Sequence, residues 1–296
     1  MASRLPTVFM NHGGGPLPIL GDPSHAELTT SLKTFTSRLN LTSTLQAILV
    51  ISAHWEAPSF QVLTSPSHSI PVPLFYDYYG FPQESYKLNY SPPGSPQLAR
   101  RVVSLLTAAG LPSAETRIGK SIEQGEREGY DHGVFIPLLL SFPEAKIPVV
   151  QLSLKKGLSP EEHIACGQAL APLREEGVLL YGSGMSYHNM RYLRGGASGN
   201  QDSVVFDEWL NRTLSDQKSG RRLEHLAQWE ERAPHHVGRR CHPREEHFAP
   251  LFVVAGAAGN DTPCLNTFSG ELLGKRVSNF AFQDDIEEET VNDFST

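Results

Sequence analysis

Residues 47–58 read AILVISAHWEAP. Residues 47–53 are apolar or small without a break, and they do not alternate with polar residues. A strand with one face in water alternates; a continuous run of this length, rich in Ile and Val, reads as a strand buried on both faces, as in the interior of a parallel sheet. Three other stretches share the pattern: TVFMN (7–11), IPVVQLSL (147–154) and VLLYGSG (178–184). Between them lie helices with legible ends. In SPQLARRVVSLLTAAG (95–110), Ser95 is placed to cap, Pro96 takes the first helical position and Gly110 is the stop. SPEEHIACGQALAPLREEG (159–177) repeats the scheme with Ser159, Pro160, Glu162 and Gly177, and Pro172 is expected to kink or interrupt it. Strands alternating with helices predict one α/β layered domain with a mostly parallel or mixed sheet.

The chain has 296 residues, 39% of them hydrophobic, which is ample for a large core. Its formal charge is −7. Asp284, Asp285, Glu287, Glu288, Glu289 and Asp293 supply nearly all of that, so residues 284–296 form an acidic tail, expected to be disordered, and the rest is close to neutral. Phosphate neutralisation needs clustered Lys and Arg, and the Arg239–Arg240 pair is too small a cluster; nucleic acid is not an expected partner. No apolar run approaches a membrane span, and MASRLPTVFMNHGGG has no signal-peptide core, so a soluble, cytoplasmic protein is expected. Cys166, Cys241 and Cys264 are odd in number and far apart, which predicts reduced thiols.

AILVISA leads directly into His54. In open α/β sheets, ligands bind beyond the carboxyl ends of the strands, so a polar residue there projects into the functional crevice. His12 follows TVFMN in the same way and precedes GGGP, whose glycines allow a tight turn. His188 follows VLLYGSGMSY, and His132 lies in YDHG. One such histidine is usually structural; several at equivalent positions point to a metal or acid–base centre. A further contributor lies in HPREEHFAPLFVVAGAAG (242–259), where an apolar run starting at His247 predicts a buried helix with His247 in its first turn. Spacing leaves Glu246 and His247 as alternative ligands; His242, five residues earlier, does not share a helical face with His247. Residues 69–94 carry Phe75, Tyr76, Tyr78, Tyr79, Phe81, Tyr86 and Tyr90 among prolines. They read equally as a flap packed on the core and as an aromatic wall over a pocket.

NHGGGP, SAHWE, FYDYYGFP, GYDHG, SGMSYHNMR and HPREEHFAPLFVVAGAAG occur in this order. Together they resemble the 4,5-DOPA dioxygenase branch of the LigB-type, class III extradiol ring-cleavage dioxygenases, from about residue 7 to about residue 282. The resemblance implies a single α/β/α domain spanning residues 1–283, with a mononuclear metal at the strand ends. His12, His54 and His247 would be its ligands, and His188 the acid–base residue beside the open coordination positions. Better-known members of the superfamily use a glutamate as third ligand; aligning their helix by its Gly-Ala ending places His247, not Glu246, at that position. Three neutral imidazoles also suit zinc, and in a zinc form His188 would be a possible fourth ligand. The implied activity calls for Fe(II). A catechol would bind through both oxygens and O2 beside it, with cleavage next to the diol, through a lactone, to a muconic semialdehyde. His188 would take a proton from the catechol and later return one. His132 and Tyr130 would orient substrate or oxygen. Asp131 would join them at the substrate side or fix a ligand's tautomer from behind.

DOPA is the branch's name-giving substrate. HNMR at 188–191 resembles the unspecialised form HNLR, whereas the pigment-forming plant branch has Pro after the histidine, which implies a broader or different catechol. Arg191 is a candidate for a substrate carboxylate or for a salt bridge to the fold. His25, His68, His163, His225, His235, His236 and His242 are expected at the surface or behind the ligands. The expected partners are thus a small-molecule catechol and O2, with a monomer or small homo-oligomer left open. A zinc-dependent hydrolase on the same site, distinguished by turnover without O2, and a non-catalytic protein like the related Memo-type binding proteins are the rival readings.

Overall fold

The computed structural model describes residues 4–39, 41, 44–67, 69–121, 126–193 and 197–284. The four continuous apolar stretches become neighbouring strands. β1 (Thr7–Asn11), β2 (Ala47–Ala57), β6 (Val149–Lys155) and β7 (Val178–Gly184) run parallel in the spatial order β6-β2-β7-β1. Val8, Phe9, Ile48 to Ile51, Leu179 and Leu180 have no exposed surface, as burial on both faces requires. β3 (Phe60–Leu63), β4 (Ser113–Ile118) and β5 (Glu126–Arg127) extend the sheet beyond β6, which β3 meets antiparallel. β9 (Lys275–Phe282) pairs antiparallel with β1, and β8 (Cys264–Leu272) closes the other edge. The result is one nine-stranded mixed sheet.

Six helices reach ten residues or more among the described residues: α1 (Ala26–Arg38), α2 (Pro96–Ala108), α3 (His132–Ser141), α4 (Pro160–Leu170), α5 (Asn200–Ser215) and α6 (Ala249–Ala258). The predicted caps form. Ser95 Oγ accepts from Leu98 N, Ser159 Oγ accepts from Glu162 N, and Gly110 and Gly177 sit at φ 76° and 75° past the helical stretches. α4 stops at Leu170 and continues as a 3₁₀ turn, Ala171–Arg174, because Pro172 has no N–H to donate.

Helices cover both faces, and β7 shows how. A Cβ on Gly182 would lie 2.9 Å from Pro250 O at the start of α6, while the next side chain, Ser183, donates to Gly133 O in α3. Successive strand residues face opposite sides, so α6 lies on one face, with α4 packed on it, and α3 on the other, with α1 beside it. The two layers around the sheet bury two nearly all-apolar helices, α3 and α6.

Asn11 pairs in register with Gly184, and Ser52 with Ser183, so β1, β2 and β7 reach the same level at their carboxyl ends. β2 does not end there, as its apolar run implied; it continues to Ala57, and His54 is a strand residue. The expected acidic tail also starts with a residue the fold holds, since Asp284 pairs with Arg4 (2.8 Å); residues 285–296 lie outside the described ones. No helix among the described residues is long and apolar enough to cross a membrane.

Candidate metal centre

Each of three histidines is delivered by a local irregularity. His12 follows the last residue of β1, its N–H bonded to Gly184 O (3.1 Å); the chain then turns at Gly13, where φ is +81° and a Cβ would press on Pro18 and His25. His54 sits on a bulge: between the pairs Ile51–Leu152 and Glu56–Leu154, β2 advances five residues while β6 advances two. Such a bulge re-aims side chains that a regular strand would point elsewhere. His247 lies in the turn before α6, which starts at Ala249, two residues later than the apolar run predicted. Its carbonyl accepts from Met185 N (2.9 Å) and lies 2.2 Å from where a Cβ on Gly184 would be. Only glycine permits that approach. Gly184→Ala should therefore cost on the order of 2 kcal/mol by forcing His247 away; a denaturant midpoint equal to wild type would show that the close approach is not needed.

The three rings converge. His12 Nε2 and His54 Nε2 are 3.1 Å apart, the ring centroids of His12 and His54 lie 5.2 and 4.9 Å from that of His247, and one nitrogen from each of the three falls within 4.8 Å of the others. His132 joins at 3.9 Å from the His54 ring, and His188 stacks on His247 at 3.4 Å with a 19° tilt. His12, His132 and His247 are buried, whereas the side chains of His54 and His188 keep 20% and 17% of their surface exposed, so the cluster opens between them.

The far side of every ring is engaged. Ser183 gives its own proton to Gly133 O, so its oxygen accepts from His12 Nδ1 (3.0 Å). Glu246 Oε1 accepts from His247 Nδ1 (3.0 Å) and His188 Nδ1 (3.1 Å). Asp77 Oδ1 accepts from His132 Nδ1 (2.8 Å) and from its backbone N–H (2.9 Å), while Oδ2 faces His54 Nδ1 at 3.5 Å. On His12 and His247 a proton on Nδ1 satisfies these acceptors and leaves Nε2 of the neutral ring as a lone pair. Burial, and then repulsion among the rings, hold His12, His54 and His247 well below the ordinary imidazole pKa. Asp77 is pushed up by burial but more strongly down by His132 and His54, to about 2, and the contact with His188 likewise holds Glu246 down against burial. The centre thus combines neutral imidazoles inside with ionised carboxylates behind them.

Those depressed values set a stability slope. As pH falls through about 6.5, the unfolded chain takes up protons on these histidines while the folded chain does not; stability then decreases until the lower folded values are reached. Thermal melts of the metal-free protein should show a falling midpoint below about pH 6.5. A midpoint that rises on acidification would contradict neutral imidazoles.

Tyr130 and Asp131, expected at the substrate side or behind a ligand, both lie in the core. Tyr130 is fully buried, with its hydroxyl donated to Val149 O (2.7 Å). Asp131 is fully buried as well and accepts from Ser52 Oγ (2.6 Å), Arg127 (2.8 Å) and Gln151, with no hydrogen bond to a histidine ring among the described residues; Ser52 Oγ in turn accepts from His54 N (3.2 Å). Its carboxyl, raised by burial, supports the bulge from below. The ring-orienting carboxylate in this half of the site is Asp77, which composition hid inside FYDYYGFP, a segment conspicuous for its aromatics. The segment packs on the core: Tyr76, Tyr78 and Tyr86 pack around one another, Tyr76 and Tyr78 also against Phe135, and the Tyr78 ring stands 5.9 Å from His132. Arg191 lies over the Tyr192 ring. His25 accepts from Gly14 N and His163 from Lys155 N, His225 is half-buried, and His235 and His236 are exposed. His242 stacks on Phe248 (4.9 Å), behind the cluster; His68 lies outside the described residues.

A family model described as the catalytic LigB subunit of aromatic ring-opening dioxygenase matches residues 7–279. A 4,5-DOPA dioxygenase extradiol of Beta vulgaris is 40% identical over 73% of this chain and 75% of its own length. The protein of the same name from Escherichia coli is 33% identical over 92% of each, and dioxygenase tasH of Hapsidospora irregularis is 35% identical over 91% of this chain and 82% of its own. The crystal structure of an uncharacterized Escherichia coli K12 protein superposes with a TM-score of 0.71 at 29% identity, over 94% of this chain and all of that one. With six ordered motifs and a histidine cluster at the strand ends beside them, the chain belongs to the LigB family of aromatic ring-opening dioxygenases, on its 4,5-DOPA dioxygenase extradiol branch.

Proposed function

We propose that the chain opens a catechol ring with O2 next to its diol, giving a muconic semialdehyde, on one metal ion held by Nε2 of His12, His54 and His247. The observation that carries this is the convergence of the rings: His12 Nε2 and His54 Nε2 meet at 3.1 Å, Nδ1 of His12 and of His247 is hydrogen-bonded on the far side, and Nδ1 of His54 faces Asp77. Two nitrogens each about 2.0–2.1 Å from one ion, at roughly 90–110° to each other, lie roughly 2.9–3.4 Å apart. The 3.1 Å between His12 and His54 fits. A donor set of three neutral imidazoles suits both iron and zinc; the activity favours Fe(II). Bound there, the ion would supply Lewis acidity toward the diol and a route for electrons to O2.

The residues of the chain do the rest. His188 sits at the open side with Nδ1 on Glu246, so its Nε2 is available to take the catechol proton, and the carboxylate stabilises the imidazolium that results. The same Nε2 returns a proton as the ring opens. His132, fixed by Asp77 beside His54, is placed to orient substrate or oxygen. The wall of Tyr78 and its neighbours excludes water and offers ring faces to an aromatic substrate. Both atoms of O2 enter the product, and no external reductant is required. The relatives' names favour L-DOPA or a related catechol, with HNMR pointing to breadth rather than pigment-branch specialisation.

The metal-free protein, loaded without air with Fe(II) or Zn(II) and then given L-DOPA or simple catechols and air, tests this reading. Iron-dependent O2 uptake with a new yellow chromophore supports it. Absence of uptake by a protein that holds iron overturns it, and turnover that continues without O2 marks metal-activated water chemistry instead.

A further inference from the structure

His188 is carried by residues 185–189, a stretch with no regular structure between β7 and a short helix, Met190–Leu193. A loop alone would leave an acid–base group too free, since sub-ångström placement decides proton transfer. Ser186, two residues before His188, is instead gripped at all its polar groups by three separate segments. Its N–H donates to Asn11 Oδ1 (2.8 Å), its Oγ accepts from Ser278 N (2.9 Å), and its carbonyl accepts from His242 Nε2 (3.0 Å). Asn11 immediately precedes His12, and its own Nδ2 donates to Ser278 O (2.8 Å) and Asn279 Oδ1 (2.7 Å). The loop is tied further along by His188 N to Cys241 O (3.1 Å) and by Asn189 Nδ2 to Arg240 O (2.7 Å).

His242 is the unusual member. It is fully buried among Phe206, Trp229 and Phe248, and its Nδ1 has no hydrogen-bond partner among the described residues. A phenyl ring would fill that apolar cage without the desolvation cost of an unpaired nitrogen. What a phenyl ring lacks is the N–H aimed at Ser186 O. We propose that Ser186 and His242 are positioning residues of ring opening: together they hold the His188 loop in fixed register with the His12 strand end, so that the proton-transfer group faces the substrate. The proposal rests on the reading of His188 as the acid–base residue.

The test compares His242→Phe, His242→Gln and His188→Gln in the full chain, Fe(II)-loaded, by O2 uptake with L-DOPA. His242→Phe should bind iron with unchanged stoichiometry and leave KM within about twofold while kcat falls about 10- to 100-fold, the loss expected from a misplaced group. His242→Gln, whose amide N–H reaches the same carbonyl, should recover kcat to within about threefold. Amide exchange of the metal-free protein gives a second reading: residues 186–188 should exchange at least about tenfold faster in His242→Phe while β9 stays protected. If His242→Phe does not fold, Asn189→Ala removes another tie of the loop and should lower kcat with KM unchanged. Wild-type kcat in His242→Phe, equal impairment in His242→Gln, or loss of iron together with kcat would overturn the anchor alone, provided His188→Gln is inactive. Full turnover by His188→Gln would overturn the anchor and the acid–base reading together.

Discussion

Alanine at His12, His54 or His247 should each abolish metal retention and, with it, ring opening. Each substitution would remove one of the three proposed Nε2 donors, and two imidazoles without a third do not hold a divalent ion against dilution. The rings differ in what else they support. His12 is buried against Ser183, so its loss also leaves a polar void, whereas His54 is partly exposed and its removal should disturb the fold least. Glu246→Ala is the control that separates the two third-ligand candidates. Its carboxylate holds Nδ1 of His247 and His188 from behind, and loss of such an outer partner weakens metal affinity by about 10- to 100-fold without eliminating it. Metal content after buffer exchange reads all four variants. Retention by His247→Ala together with release by Glu246→Ala would reverse the assignment.

His188→Ala should keep the metal and lose turnover by roughly 10²- to 10⁴-fold, the span ascribed to a positioned general acid–base group. Among the described residues the ring makes one polar contact, with Glu246, and it lies flat on His247 at the open side, so it can be removed without taking away any of the three proposed donors. The loss should fall on kcat and kcat/KM alike, since the proton moves only as the reaction proceeds. Metal lost together with activity would instead place His188 among the ligands, the arrangement a zinc form would favour.

The parallel centre of the sheet was legible because doubly buried strands carry an unbroken apolar run, and the helices because Ser95, Ser159, Gly110 and Gly177 mark their ends in the chain itself. His12, His54 and His188 were legible by position, as polar residues at or just past such strands. The antiparallel strands β8 and β9 interrupt their apolar residues with Asn, Thr, Ser, Glu and Arg and were not foreseen. The bulge that aims His54 arises from a mismatch between β2 and β6, which neither strand records alone. Asp77 and Ser183 act on the rings only after distant segments meet, and Tyr130 and Asp131 directly precede His132 in sequence yet turn into the core, where Val149 O takes the Tyr130 hydroxyl and Ser52 bonds Asp131. Charge spacing left Glu246 and His247 open; the fold places His247 among the rings and Glu246 behind two of them.

The most direct test of a dioxygenase working on this three-histidine site is a reaction of the Fe(II)-loaded protein with L-DOPA under ¹⁸O2, with the product trapped by reduction as it forms and weighed by mass spectrometry. The expected result is a ring-opened product carrying both labelled atoms, absent from the His12→Ala protein under the same conditions. A product without label, or oxygen consumed while the ring stays closed as a quinone, would contradict it.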